Sequence, residues 1–452
     1  MRKTNIAIWG FGITGKASLN YFLKSKKFSD IELLIDIYDG SSANKFAKNL
    51  IDGAPENVRF FFGSDDIRDI AQYDFVMASP SISNSHPDIV KAHKMGIPIY
   101  NDVSFFIEQW LKTGKRSIGV TGSNGKSTVV TLVHGALQSA GIKSILVGNI
   151  GKSPLDYLLR YEEGNLEIDV PVLELSSYQL EKFTTNQFVD IAVISNISPN
   201  HLDHHNNSIE EYSEAKLKIL GPNSKLVTVV DDSGIQKHIL PKVAKTKTQV
   251  IQVSLDNPSH QLKYFVREDS RSLKGQHNLY NIAISLEVLK ILEINSRPAH
   301  DFLQTYSGLE HRIEFVSEIS SVKYINDSKS TSPASIKVAL EAFGNFKNVV
   351  LIAGGNDKKV SFDILNESFN QYVKFLIIFD HEINDKLKKI ALRHDIPHVV
   401  TANLIDCVKI ARREAAAGDY VLFSPGAASF GRFKCFEDRG QKFKDCVKNL
   451  RK

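Results

Sequence analysis

The residues of this chain best suited to chemistry are Gly122-Ser123-Asn124-Gly125-Lys126-Ser127-Thr128. They follow the apolar run Ser117-Ile118-Gly119-Val120 and open a helix-like stretch, Val129 to Val133. A strand, a glycine loop, a lysine beside hydroxyls and then a helix is the arrangement that holds a nucleoside triphosphate. Backbone N–H groups and a helix N-terminus cradle the phosphates, Lys126 reaches the β and γ oxygens, and Ser127 or Thr128 can ligate Mg²⁺. Val120 stands where the first glycine of the commonest spacing would be, so the loop is a Gly-x-x-Gly-Lys-Ser variant preceded by Thr121. A surface turn can carry the same pattern by chance. Its setting between an apolar strand and an apolar helix face points to ATP.

Four further constellations carry chemistry-bearing residue types. Gly10-Phe11-Gly12-Ile13-Thr14-Gly15 is a full Gly-x-Gly-x-x-Gly match after a strand-like run, with Asp36 and Asp39 at the distance where an acid meets a ribose hydroxyl. It suits a dinucleotide, a nucleotide-linked substrate, or simply a tight strand-to-helix turn. Glu174 ends an apolar strand, where a carboxylate can hold Mg²⁺ directly or through water, or merely face solvent. Asn200-His201-Leu202-Asp203-His204-His205 gathers three histidines in a loop; the spacing fits no tetrahedral zinc set, so a single His toward Mg²⁺ or phosphate is the better reading. Asn326-Asp327-Ser328-Lys329-Ser330-Thr331, with His311-Arg312 upstream, sets an acid, a base and hydroxyls at a strand end, where open α/β sheets bind ligands. In Glu214 to Ile219, which reads as an amphipathic helix, nothing in the spacing marks Lys216, and lysine there reads as a solvated face.

Short apolar runs alternating with helical stretches position these groups. Asn5–Trp9, Ile31–Ile35, Phe75–Ala78, Ser144–Val147, Pro171–Glu174, Ile191–Ser195, Asn348–Ala353, Phe375–Phe379 and Tyr420–Phe423 are the expected strands. Strands separated by helices imply parallel sheets covered on both faces. The 452 residues suggest about three domains, with breaks expected near 107 and 308: 1–106, 107–308 and 309–452. The net charge of +5 is small, and a basic tail from Lys442 reads as a solvated helix face, which argues against a nucleic-acid partner. Three late cysteines without metal-type spacing, no signal peptide and no apolar run of membrane-spanning length lead to the expectation of a reduced, cytoplasmic protein with no membrane partner. No Ser-His-Asp or Cys-His set stands out.

In order along the chain, Thr121 to Thr128, Glu174-Leu175-Ser176-Ser177, Asn200 to Asp203, Gly275-Gln276-His277-Asn278, His311-Arg312 and Asp327-Ser328-Lys329 resemble the Mur ligase family of ATP-dependent amide-forming enzymes. Val147 to Gly151, Ser177 to Glu181 and the C-terminal Ser424–Ser429, Phe433, Phe436 and Arg439-Gly440 resemble the branch that joins D-glutamate to UDP-N-acetylmuramoyl-L-alanine. The resemblance implies an α/β protein of three domains: a Rossmann-like N-terminal domain for the uridine substrate, a central phosphate-loop ATPase domain with a mainly parallel sheet, and a Rossmann-like C-terminal domain for the amino acid. It implies ATP and two Mg²⁺ ions, with Gly122, Ser123, Asn124, Gly125, Lys126, Ser127 and Thr128 on the phosphates. Asn278 and Asn281 would border adenine, and Arg312 and Asp327 would reach ATP. Ser127, Glu174, His201 and Lys216 would serve the metals, with Lys216 carbamylated, and Lys126, His201 and Lys216 would be catalytic. Gly12, Thr14, Asp39, Ser79, Asn149, Ser177 and Gln179 would contact the nucleotide-linked substrate; Lys329, Thr331, Lys358, Ser429 and Phe436 would enclose D-glutamate. Asn200 departs from the acidic residue often found before the metal-site His, and Phe430 is bulkier than the aliphatic residue expected. A monomer is expected, with no nucleic-acid partner. The alternatives are a sibling ligase with another amino-acid acceptor, a nicotinamide-dependent oxidoreductase using Gly10–Gly15, and a nucleic-acid-stimulated ATPase.

Overall fold

Runs of Val, Ile and Leu bounded by glycine or polar turns form strands at every expected place, and they assemble into three sheets. A computed structural model describes residues 2–41, 53–63, 66–200, 202–256, 276–306, 308–343, 346–357, 360–379, 382–429 and 432–450. The first sheet contains β1 (Arg2–Trp9), β2 (Ile31–Asp39), β3 (Val58–Phe62), β4 (Phe75–Ala78) and β5 (Ile99–Tyr100), all parallel, in the order β3-β2-β1-β4-β5. The second contains β6 (Ile118–Thr121), β7 (Ser144–Gly148), β8 (Val170–Glu174), β9 (Val189–Ile194), β10 (Leu220–Val229) and β11 (Gln249–Val253). Its order is β11-β10-β9-β6-β8-β7, again parallel throughout.

The third sheet is mixed. Its strands are β12 (Glu314–Ile319), β13 (Val322–Asn326), β14 (Val349–Ala353), β15 (Val373–Phe379), β16 (His398–Thr401) and β17 (Tyr420–Phe423), ordered β12-β13-β17-β14-β15-β16. Only β12 runs antiparallel, joined to β13 by a two-residue turn at Ser320 and Ser321. Both serines take positive φ, 52° and 61°, which matches the twist of a tight hairpin. An edge hairpin of this kind departs from purely doubly wound expectation. Its serines lack the Asn-Gly signature that would have marked it.

Strand order reverses beside β1 and β4 in the first sheet and beside β6 and β8 in the second, so the loops after these strands open into crevices at their carboxyl ends. One hydrophobic core runs from Ile6 of β1 through Phe105, Phe106 and Trp110 to Leu226 of β10 and on to Val243. The bridge is helix Asp102–Leu111, started by a capping box between Asn101 and Ser104 and buried along most of its length. The larger compact unit therefore takes in the first two sheets with Gln276–Gln304. The described residues of the smaller unit begin at Thr305 and form separate cores on the two faces of its sheet. No helix among the described residues is long and apolar enough to cross a membrane.

Two solvated-face readings are corrected. The tail forms helix Phe436–Asn449, which buries Phe443 and Val447 and sets Lys444 between Glu310 (2.6 Å) and Glu314 (3.0 Å). Helix Ile209–Leu217 carries Lys216 inward, at 1% exposure. The tail keeps Lys442 and Lys448 exposed and departs from expectation at Lys444, whereas Lys216 lies on the wrong face altogether, because a single lysine within a helical period does not report which side meets the sheet.

Candidate active site

The loop after β6 turns on two glycines. Gly122 has φ +143°, and a Cβ there would lie 2.0 Å from Ser195 Oγ at the end of β9. Gly125, at φ +82°, precedes helix Lys126–Ser139 with no side-chain cap, and a Cβ there would meet Asn281 Oδ1 at 2.6 Å. The helix therefore presents uncapped N–H groups beside a backbone too crowded for any other residue, as an anion site requires. Ser123 Oγ accepts from Ser198 N and donates to Ser198 O, and Asn196 Oδ1 accepts from Asn124 N, tying the loop to the end of β9. Ser127 and Thr128 lie buried in the first turn, and Asn281 donates to Asn278 Oδ1 at 3.1 Å.

Two amines meet at one carbonyl. Lys126 Nζ donates to Gly122 O (2.8 Å) and Ser123 O (3.0 Å), while Lys216 Nζ donates to Gly122 O (3.0 Å) and Thr121 Oγ1 (3.3 Å). Burial and then the nearby Lys126 charge hold the Lys216 ammonium well below the usual lysine range. Its amine also lies 4.3 Å from the Tyr212 ring centre. Beside β6, Glu174 closes β8 at 2% exposure. Its Oε1 accepts from Asn149 Nδ2 at 2.9 Å, whereas its buried Oε2 has no partner. An unpaired carboxylate oxygen in the interior is costly unless a cation or donor meets it.

The turn after β8 brings Ser177 and Gln179 into the same unit. Gln179 Oε1 accepts from Ser176 N and Ser176 Oγ, so it closes a capping box. Ser177 Oγ lies 3.0 Å from His205 Nε2, and Glu181 bridges His204 and His205. The sequence marks the histidine loop and the stretch ending at Glu181 but not their pairing, since the line from carboxylate to imidazole to hydroxyl closes across 28 residues. His201 lies outside the described residues.

In the first sheet Gly10 takes φ +92°, and a Cβ on Gly15 would lie 2.1 Å from Gly10 O, so the turn admits only glycine at both places. Helix Ile13–Lys24 starts at Gly12 without a side-chain cap. Asp39 accepts from Phe11 N (2.7 Å) and Ser41 N (2.9 Å), which, outweighing its burial, keeps its carboxyl below the usual range. Asp36 is spent on structure: Arg59 grips it through two bonds of 2.7 Å and Tyr73 donates at 2.6 Å. That removes Asp36 as a ribose ligand. Thr14 and Ser79 sit half-buried at the two flanking loops.

Within the smaller unit, His311-Arg312-Ile313 leads into β12 with φ of +63° at His311 and +49° at Ile313. Asp327 follows β13; it accepts from Ser424 Oγ (2.7 Å) and Ile313 N (3.2 Å), and burial raises its carboxyl to about 7. Its oxygens therefore brace β17 and the His311 loop, with Arg312 nearby as a lowering charge. Lys329 Nζ lies 5.4 Å from the Phe436 ring centre, and Thr331 is half-buried nearby in sequence. Ser429 lines a small cavity with Gly354, Gly355, Asn356 and Arg439. Asn356 Oδ1 and Ser330 Oγ are buried without partners. Arg439, 1% exposed, donates to Ser328 O, Ser328 Oγ and Ala427 O, and burial lowers it to about 10. Lys358 lies outside the described residues, as does Phe430.

Sequence comparison covers all three sheets. Residues 4–101 match the Mur ligase MurD-like N-terminal domain, 120–289 the Mur ligase middle domain, and 311–426 the Mur ligase glutamate ligase domain. The UDP-N-acetylmuramoylalanine–D-glutamate ligase of Clostridium kluyveri is 33% identical over 461 residues, 98% of this chain and 96% of that one. The enzyme of the same name from Buchnera aphidicola is 32% identical over 454 residues, 98% of both chains. In fold, the chain is similar to the UDP-N-acetylmuramate-alanine ligase of Thermotoga maritima (TM-score 0.54, 14% identity, 99% of both chains). It is similar also to the MurF ligase of that organism in complex with ADP (TM-score 0.57, 16% identity, 92% and 96% of the chains).

Proposed function

The chain belongs to the Mur ligase family, and from that premise we propose that it joins D-glutamate to UDP-N-acetylmuramoyl-L-alanine, using ATP, in peptidoglycan precursor synthesis. The nicotinamide reading is set aside: the family match spans the N-terminal glycine turn, and one of its two acids is locked to Arg59 and Tyr73. The observation that carries the reading is the meeting of Lys126 and Lys216 at Gly122 O on a phosphate-type loop.

A carboxylate and an amine do not condense in water, so the acid must first gain a leaving group. The substrate carboxylate attacks the γ-phosphoryl of ATP, releasing ADP and forming an acyl phosphate. The amine of D-glutamate then attacks the acyl carbon and expels phosphate. In this scheme Lys126 and the N–H groups of 122–128 hold the phosphates and neutralise charge spreading over the transferred group. Asn278 and Asn281 flank the nucleotide, and Arg312 and Asp327 bear on it.

Ser127, Glu174, His201 and Lys216 are proposed to hold Mg²⁺, which when bound withdraws charge from the phosphoryl oxygens. The fit rests on the hard-oxygen donors and on the unpaired Oε2 of Glu174. Burial disfavours the charged form of the Lys216 amine and so suits it to addition of CO₂, which yields a carbamate and one proton and supplies an anionic oxygen donor. Gly12, Thr14, Asp39, Ser79, Asn149, Ser177 and Gln179 are assigned to the nucleotide-linked substrate, supported by the uncapped helix start at Gly12. Lys329, Thr331, Lys358, Ser429 and Phe436 are assigned to D-glutamate, and three domains at 1–106, 107–308 and 309–452 to the three ligands.

The test is a panel of amino acids offered with UDP-N-acetylmuramoyl-L-alanine and Mg-ATP, read as phosphate release. D-Glutamate should stand alone as acceptor. Phosphate release with L-alanine or a diamino acid instead would move the chain to a sibling reaction.

A further inference from the structure

Helix Ser177–Leu180, which follows β8, and the short turn Leu202–His205, which follows β9, come into side-chain contact. Between them runs a line of three side chains. Glu181 Oε1 lies 3.1 Å from His205 Nδ1, and His205 Nε2 lies 3.0 Å from Ser177 Oγ. The second oxygen of Glu181 lies 3.0 Å from His204 Nε2. Ser177 and His205 are each 3% exposed. Such a chain of acid, imidazole and hydroxyl is the geometry of a nucleophilic triad, yet the ligase reaction forms no bond to a protein hydroxyl.

We propose that Glu181 and His205 are positioning residues that hold the Ser177 hydroxyl as a hydrogen-bond acceptor, so that Ser177 selects an N–H donor on the acyl substrate: the amide next to the carboxylate to be activated. This rests on the reading of Ser177 as part of the acyl-substrate site.

The polarity follows from what each atom can do. A carboxylate only accepts, so His205 Nδ1 carries the ring hydrogen. Burial, outweighing the pull of Glu181, holds the imidazole below the usual histidine range and so favours its neutral form. Nε2 then has only its lone pair, and Ser177 must donate to it. The serine hydrogen is thereby used, and only oxygen lone pairs remain for a ligand. Rings on several sides, Tyr178, His204 and Tyr212, hold the imidazole in place. Burial also removes water as an alternative partner for Ser177, so a substrate atom of the wrong polarity is left unpaired.

Two measurements decide it. The first compares UDP-N-acetylmuramoyl-L-alanine with the analogue whose amide N–H is replaced by an ester oxygen. For the native enzyme KM should rise about tenfold or more on that replacement, with kcat changing far less. In His205→Ala the two compounds should come within about twofold, because the freed Ser177 hydroxyl can donate to the ester oxygen as well as accept from the amide N–H. His205→Gln, whose amide oxygen reaches the place of Nε2, should keep most of the discrimination. Undiminished discrimination in His205→Ala overturns the proposal.

The second is the ¹⁵N spectrum of histidine-labelled native protein, with His205 assigned by the signal lost in His205→Gln. A protonated Nδ1 and a bare Nε2 support the relay; a protonated Nε2 overturns it even where the alanine variant fails to fold. If native enzyme makes no product from the parent nucleotide, ATP and D-glutamate, the ligase reading fails. The ring spectrum still decides the relay in that case.

Discussion

Two lysine amines converge on the carbonyl of Gly122, and their removal should have different signatures. Lys126→Ala deletes charge needed as phosphoryl transfer proceeds. ATP-dependent phosphate release should fall at least about 100-fold while the circular dichroism spectrum is unchanged. Lys216→Ala should cost about as much, but short carboxylic acids added to the assay should restore part of the rate by supplying the missing anionic oxygen. Full activity of that variant without additive would remove Lys216 from the site.

Asp327 makes a prediction about stability rather than turnover. Its folded carboxyl titrates at about 7 against 3.8 for the free group, so the folded state holds the proton more tightly. The stability this proton confers is complete below about 3.8, declines as pH rises, and is gone above about 7. Asp327→Asn has no such loss. Its melting temperature relative to the native chain should therefore climb between pH 5 and pH 8; a gap that stays constant with pH would exclude an ionising Asp327 in the core.

At the level of elements, close backbone approach is the strictest requirement. Gly122→Ala drives a methyl group into Ser195 and forces φ near +143°, which should destabilise the chain by about 3 kcal/mol and weaken nucleotide binding together. Denaturant titration and ATP-analogue binding read the two effects. This loop was legible in the residues alone because strand, glycine and lysine are contiguous, and so were the strands that end at Trp9, Glu174 and Ala353. The inward turn of Lys216 was not, since helical spacing marks a stripe without saying which stripe meets a sheet. Pairs distant in sequence were equally silent. Asp36 meets Arg59 only when β2 and β3 pair side by side, and His205 meets Ser177 only when the turns after β8 and β9 come together. The antiparallel β12 escaped for want of a recognisable turn signal.

Across the molecule, one core is shared by the first two sheets, and the residues from Thr305 onward have cores of their own. A fragment of residues 305–452 should consequently show a cooperative thermal transition in isolation. A fragment of residues 1–101 should not, because it lacks the helix bearing Phe105, Phe106 and Trp110 that completes its packing. Scanning calorimetry of the two pieces distinguishes these outcomes. The same partition says where evolution, or an engineer, can recombine this protein. An exchange of modules with a relative at the start of the smaller unit leaves the core shared by the first two sheets in one piece. A splice after β5 would need both sides of a jointly inherited interior to come from one parent.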